Sequence, residues 1–159
     1  MTPKVLHVCP YLHPAAGGPA VVVLQYAKRL AQFGFAPFIL TTDWYSPGGK
    51  KEVEQRYAAE YDVRVLETGD RFVKMFSHEN RRQVRQAVAG ADVLHVHGLW
   101  HPLGFLAMRE ARALGKPYVV SPHGMLDPYS MSVGALKKRL YWKLIERRNV
   151  LESARVLFT

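Results

Sequence analysis

The chain has 159 residues, which fits one domain, and its 48% hydrophobic content is enough for a buried core. No apolar run approaches the ~20 residues needed to cross a bilayer, no signal-peptide pattern opens the chain, and the single cysteine, Cys9, excludes an intrachain disulfide and fits a reducing cytoplasm. A net charge of +9 draws the chain toward anionic partners: nucleic acid, an acidic membrane surface or phosphorylated ligands.

Residues 4–9 alternate Val5, His7 and Cys9 with Leu6 and Val8 and read as a first strand, with Cys9 a small core residue at its end. After the turn at Gly17, Gly18 and Pro19, apolar residues from Val21 to Ala31 recur at helical spacing, and Gly34 ends that helix. Residues 35–42 form a second strand and residues 43–50 a loop. Residues 51–60 are polar and suit a short helix or an irregular segment. A third strand covers residues 63–66, and residues 72–76 read as an extended crossover or an unassigned link. A basic helix spans residues 78–89. Strands at 93–96 and 118–120 flank a helix at 102–114. A long helix is expected over residues 133–152, and a sixth strand begins at 155.

Strands alternating with helices predict an α/β domain, a Rossmann-like doubly wound, mainly parallel sheet with helices on both faces. The near-continuous apolar strands VLHV and YVV agree with burial on both sides. The chain stops as a strand is reached, as a piece of a longer protein would. Strand edges and apolar surface left open by such a cut could drive a homodimer of the fragment.

Ligands of doubly wound sheets sit beyond the carboxyl ends of the strands where strand order reverses. For the order 3-2-1-4-5-6, the loops after strands one, four and five converge there. These loops carry His13 to Pro19, His97 to His101, and Ser121 to Pro128. Gly17 and Gly18 lead into a helix N-terminus, whose free N–H groups suit a phosphate, although the same pair suits an ordinary turn. His95 and His97 share a strand face. His95 reads as a buried, hydrogen-bonded residue, whereas His97 at the strand exit is placed to reach the crevice. His101 and His123 lie near, but no carboxylate or cysteine completes a metal ligand set. His123, in a glycine-containing loop, can donate to or accept from a sugar hydroxyl. Ser121, His123 and Asp127 lack the GxSxG elbow of a hydrolase triad.

The segments VLHVCPYLHPAAGGPA, ADVLHVHGLW and GKPYVVSPHGMLDPYSM, with the basic helix that runs on to RRNVLESARVLFT, follow one another in an order and spacing that resemble the N-terminal domain of glycosyltransferase family 4. The SPHGMLDP segment and its following basic helix are the most specific part. The resemblance implies one half of a two-domain GT-B architecture, residues 1–159 being the acceptor-binding domain, with the C-terminal donor-binding domain as its missing partner. It further implies retaining transfer from a nucleotide-sugar, a co-substrate rather than a cofactor, to a glycan or lipid-linked acceptor, without a metal. On this resemblance Gly17 and Gly18 lie near the donor diphosphate and His123 matches the active-site histidine. His97, Trp100, His101 and Asp127 are then acceptor contacts.

Lys137, Lys138, Arg139, Lys143 and Arg147 crowd one helix among Tyr141, Trp142, Leu144 and Ile145. A solvated helix face accounts for them, and so does a patch drawn to anionic lipid at the inner face of a membrane. No recognition-helix motif, zinc spacing or RNP-type aromatic signature points to nucleic acid.

Overall fold

The computed structural model describes residues 2–13, 17–69 and 71–158. Its strands are β1 (Lys4–Val8), β2 (Ala36–Thr42), β3 (Val63–Leu66), β4 (Val93–His97), β5 (Tyr118–Ser121) and β6 (Arg155–Val156). They form one six-stranded sheet in the order β3-β2-β1-β4-β5-β6, every pair parallel. This is the reversing order expected for a doubly wound sheet, with the switch between β1 and β4.

The helices α1 (Gly18–Gln32), α2 (Gly49–Tyr57), α3 (His78–Ala89) and α4 (Pro102–Ala113) connect the strands. Strand alternation sorts residues to the two faces. Leu6, Val8, Leu40, Leu94, Val96 and Val120 turn one way and pack with Val84 and Val88 of α3 and Leu103, Leu106 and Met108 of α4. Cys9 and Ile39 turn the other way and meet Val23 and Ala27 of α1 in a much smaller cluster.

One segment differs from its sequence expectation, and another carries a turn that periodicity does not show. Phe72–Phe76 winds into a 3-10 turn rather than an extended crossover. The helix expected over residues 133–152 is present and runs without a break from Ala135 to Leu151 as α6 (Ala135–Tyr141), a π-helical turn (Trp142–Glu146) and α7 (Arg147–Leu151), with a separate short helix, α5 (Pro128–Ser132), ahead of it. Gly134 is left-handed at φ 67° and starts α6 afresh. The π turn carries one residue more per turn than an α-helix and brings the buried Glu146 under the loop that follows β4.

Candidate functional site

The observed strand order gathers the loops after β1, β4 and β5 at one sheet edge. Residues 14–16 of the first loop lie outside the described residues. Gly17 caps α1 at φ 80°, a conformation that favours glycine, with no side-chain hydrogen bond on the first turn, and Gly18 beside it is exposed. Pro19 stands in that turn, where its missing N–H costs nothing. The free N–H groups and the partial positive charge of this 15-residue helix are available to an anion.

The loop after β4 turns on Gly98 at φ 79°, where a Cβ would come within 3.2 Å of the Met125 Cε. Met125 also accepts the Leu99 N–H at 3.1 Å, so it clamps the β4 loop to the β5 loop. Trp100 is left-handed at φ 65°. Its backbone N–H donates to Glu146 Oε1 at 3.0 Å, while Glu146 Oε2 accepts from Asn149 at 3.1 Å. Burial pushes the Glu146 carboxyl up. His101 Nδ1 accepts the Leu103 N–H at 3.1 Å and caps α4, and burial pushes His101 down to about 4. Asp127 caps α5 through the Ser130 N–H at 2.7 Å and remains exposed.

Beneath α1 the two central strands carry histidines where apolar residues would be expected. His7 lies opposite His95 in the β1–β4 register, and His97 opposite Ser121 in the β4–β5 register. His7 Nδ1 is 3.1 Å from His97 Nε2, and His97 Nδ1 is 3.1 Å from His123 Nε2. His95 Nε2 pairs with Ser121 Oγ at 2.8 Å. Burial, reinforced by neighbouring imidazoles, pushes His7 down to about 3 and His95 to about 4, and holds His97 well below its ordinary value. Burial also lowers His123, the half-buried member at the mouth of the crevice. The cluster is therefore neutral at pH 7. Nitrogens of His7, His95 and His97 all lie within 4.8 Å of one another, near enough to gather a metal ion. The contacts drawn between these rings are nevertheless hydrogen bonds among themselves and to Ser121 and His123.

Sequence reasoning placed His123, Gly17 and Gly18 at this edge, and there they are. His97 requires correction. It is 1% exposed with both ring nitrogens engaged, so it does not open on the crevice but stands behind His123. Trp100 and Asp127 frame the same edge, each already tied to a helix, whereas His101 requires the same correction as His97: it is buried, with Nδ1 capping α4. Lys137, Arg139, Lys143 and Arg147 are exposed, whereas Lys138 is half-buried and donates to the Ser130 carbonyl. His7, Glu146 and Asp43 were missed. Asp43 Oδ1 accepts from Thr68 N, Thr68 Oγ1 and Gly69 N at 2.7 to 2.9 Å and joins the ends of β2 and β3. With Trp44 and Tyr45 it lines an open cavity of about 610 Å³ on the β2 side of the edge. A histidine in β1 in step with two in β4 was the available signal for His7.

A reversing parallel sheet with these loops at its switch point defines a Rossmann-like domain of the GT-B kind. In fold it is similar to a putative UDP-N-acetylglucosamine 2-epimerase from Listeria monocytogenes (TM-score 0.63, 14% identity, 99% of this chain and 38% of that one). It is also similar to MurG from Acinetobacter baumannii (TM-score 0.51, 17% identity, 75% of this chain and 35% of that one). The profile of the glycosyl transferase 4-like domain matches residues 17–159, and the chain belongs to that family. It is 28% identical to the GDP-mannose:cellobiosyl-diphosphopolyprenol alpha-mannosyltransferases of Xanthomonas oryzae pv. oryzae (strain PXO99A) and Xanthomonas campestris. Each alignment covers 98% of this chain and 40% of the relative, so the chain spans well under half the length of the curated relatives it matches.

Proposed function

We propose that this domain is the acceptor-side half of a retaining glycosyltransferase that moves a sugar, mannose from GDP-mannose as in the curated relatives, onto a lipid-linked saccharide. The observation that carries the reading is the placement of His123: a neutral imidazole at the switch-point edge, backed by buried histidines, on the same sheet edge as the open N-terminus of α1. Gly17 and Gly18 approach the donor diphosphate, and His123 orients and polarises the transferred sugar. Trp100 and Asp127 border the acceptor. The acceptor hydroxyl attacks the anomeric carbon on the face the diphosphate leaves, and the leaving phosphate oxygen takes the hydroxyl proton. A donor-binding domain beyond this chain completes the cleft, so the chain alone is expected to be inactive.

The basic helical segment favours work at a lipid surface. Leu136, Leu140 and Leu144 are each more than half exposed, in step with the exposed Lys137, Arg139, Lys143 and Arg147. Among the described residues no helix is long and apolar enough to cross a membrane. Such a surface fits a peripheral protein whose acceptor is anchored in anionic lipid.

The test is transfer by the full-length protein from GDP-mannose to a polyprenyl-diphosphate-linked cellobiose. The expected product is an α-mannoside, absent when the 159-residue chain is used alone. No transfer from any nucleotide-sugar by the full-length protein would remove the reading. Transfer by the short chain alone would remove the need for a second domain.

A further inference from the structure

The loop after β2 builds a second feature on the carboxyl edge. Asp43, Trp44, Tyr45, Pro47, Gly49 and Gly69 line the open cavity of about 610 Å³ there, within the range of small-ligand sites, about 300–1,000 Å³. Asp43 is buried, and its Oδ1 is saturated by Thr68 N, Thr68 Oγ1 and Gly69 N. Its Oδ2 makes no hydrogen bond among the described residues. That oxygen is the nearest atom to the place a Gly49 Cβ would occupy, 3.9 Å away, and a Cβ on Gly69 would meet nothing within 4 Å. The three donors fix the carboxylate, and the two glycines leave the space beside it open.

Tyr45 is its aromatic counterpart. It stands at φ 65°, a backbone conformation that is costly for a bulky residue, yet it is 63% exposed, so burial does little to offset the cost. Its ring meets Tyr11 at 5.2 Å and Trp44 at 6.1 Å, edge to face. Tyr11 and Trp44 in turn meet His101 at 5.6 and 6.3 Å. The aromatic cluster therefore runs from the cavity to the loop after β4.

We propose that this cavity is a carbohydrate subsite that takes an uncharged pyranose unit of a saccharide. A pyranose has an apolar face of C–H groups and a rim of hydroxyls. The face stacks on Tyr45 and Trp44, and a rim hydroxyl donates to Asp43 Oδ2. An anion does not fit: among the described residues no basic side chain lines the cavity, although the chain carries +9 overall, and a carboxylate can only accept. A guanine base offers a carboxylate two parallel donors and is poorly matched, because Oδ1 is already taken. The role of the subsite rests on the transferase reading: it holds a unit of the acceptor other than the reacting one. β2 lies three strand spacings from β5, which leads into His123, on the order of 14 Å, further than one sugar ring spans.

The test is a ¹H–¹⁵N titration of the 159-residue chain with cellobiose, which needs neither donor nor transfer. Cellobiose should shift the amides of Asp43, Trp44, Tyr45, Gly49 and Gly69, and GDP should not. Tyr45→Gly suits the left-handed backbone and should keep the fold. Asp43→Asn keeps an Oδ1 acceptor for the three donors. Each should weaken cellobiose binding about tenfold, with the rest of the spectrum preserved. In the full-length protein, Tyr45→Gly should raise KM for polyprenyl-diphosphate-linked cellobiose by a similar factor and leave kcat nearly unchanged. No shift with cellobiose, shifts at these amides with GDP alone, or binding indifferent to both variants would overturn the proposal. Cellobiose bound here without any transfer by the full-length protein leaves the subsite standing and removes the transferase reading. Transfer with no saccharide bound at these residues does the reverse.

Discussion

The two faces of this sheet are built from the same strands but hold together by different means. Toward α3 and α4, β1 and β4 offer Leu6, Val8, Leu94 and Val96, a continuous apolar layer. Toward α1 the alternate residues are His7, His95 and His97, with Ser121 on β5. The first face gains its stability from removing apolar area from water. The second is polar and buried, and is stable only while its imidazoles stay neutral and paired. The difference lies in what each face reaches: the histidine face ends at His123, on the crevice.

Acid should separate the faces most strongly. His7, His95, His97 and His101 are all held below the ordinary value of 6.5 in the folded chain. As the pH falls, the unfolded chain therefore binds their protons first. The stability they contribute is full above about pH 6.5 and is lost progressively toward pH 4 and below. On the order of 5 kcal/mol should go between pH 6.5 and 5, comparable with the whole stability of a small domain. Thermal unfolding at a series of pH values checks this, and a flat profile would show the histidine face to be solvated.

Leu94→Ala, on the apolar face, should cost about 2–5 kcal/mol in denaturant unfolding, by the same amount at pH 7 and pH 6. A cost that changes with pH would mean that the faces are coupled. Glu146→Leu should cost about 2–3 kcal/mol, because the Trp100 N–H loses its acceptor, whereas Glu146→Gln, which keeps one, should cost about 1 kcal/mol or less. His7→Leu should change stability at pH 7 by only about 1–2 kcal/mol, since the gain in apolar packing offsets the partner lost to His97. It should also remove about one proton from the pH dependence of unfolding.

The sheet was legible because its cues are local. Apolar strands and the helical spacing in α1 are each set by residues a few positions apart, and the strand order observed is the common one assumed for such an alternation. The site was legible in part. His123 and Gly17 stand beside turn-forming residues that mark a loop at the carboxyl edge. His97 was misplaced because a strand-end position does not reveal that two other rings, distant in sequence, occupy both of its nitrogens. Glu146 was hidden for a related reason. Its reach to Trp100 depends on the π turn at Trp142–Glu146, which periodicity reads as ordinary helix. Gly134, inside the expected helix, was the one visible sign that the segment restarts.

The most direct test of the account is turnover by the full-length protein carrying His123→Gln, with its folding checked by an unchanged thermal transition. The substituted amide can still hydrogen-bond but cannot continue the imidazole chain. If His123 stands at the reacting sugar, kcat should fall about 10²-fold or more. If kcat is unchanged, His123 is a loop residue and the reacting centre lies elsewhere on the carboxyl edge.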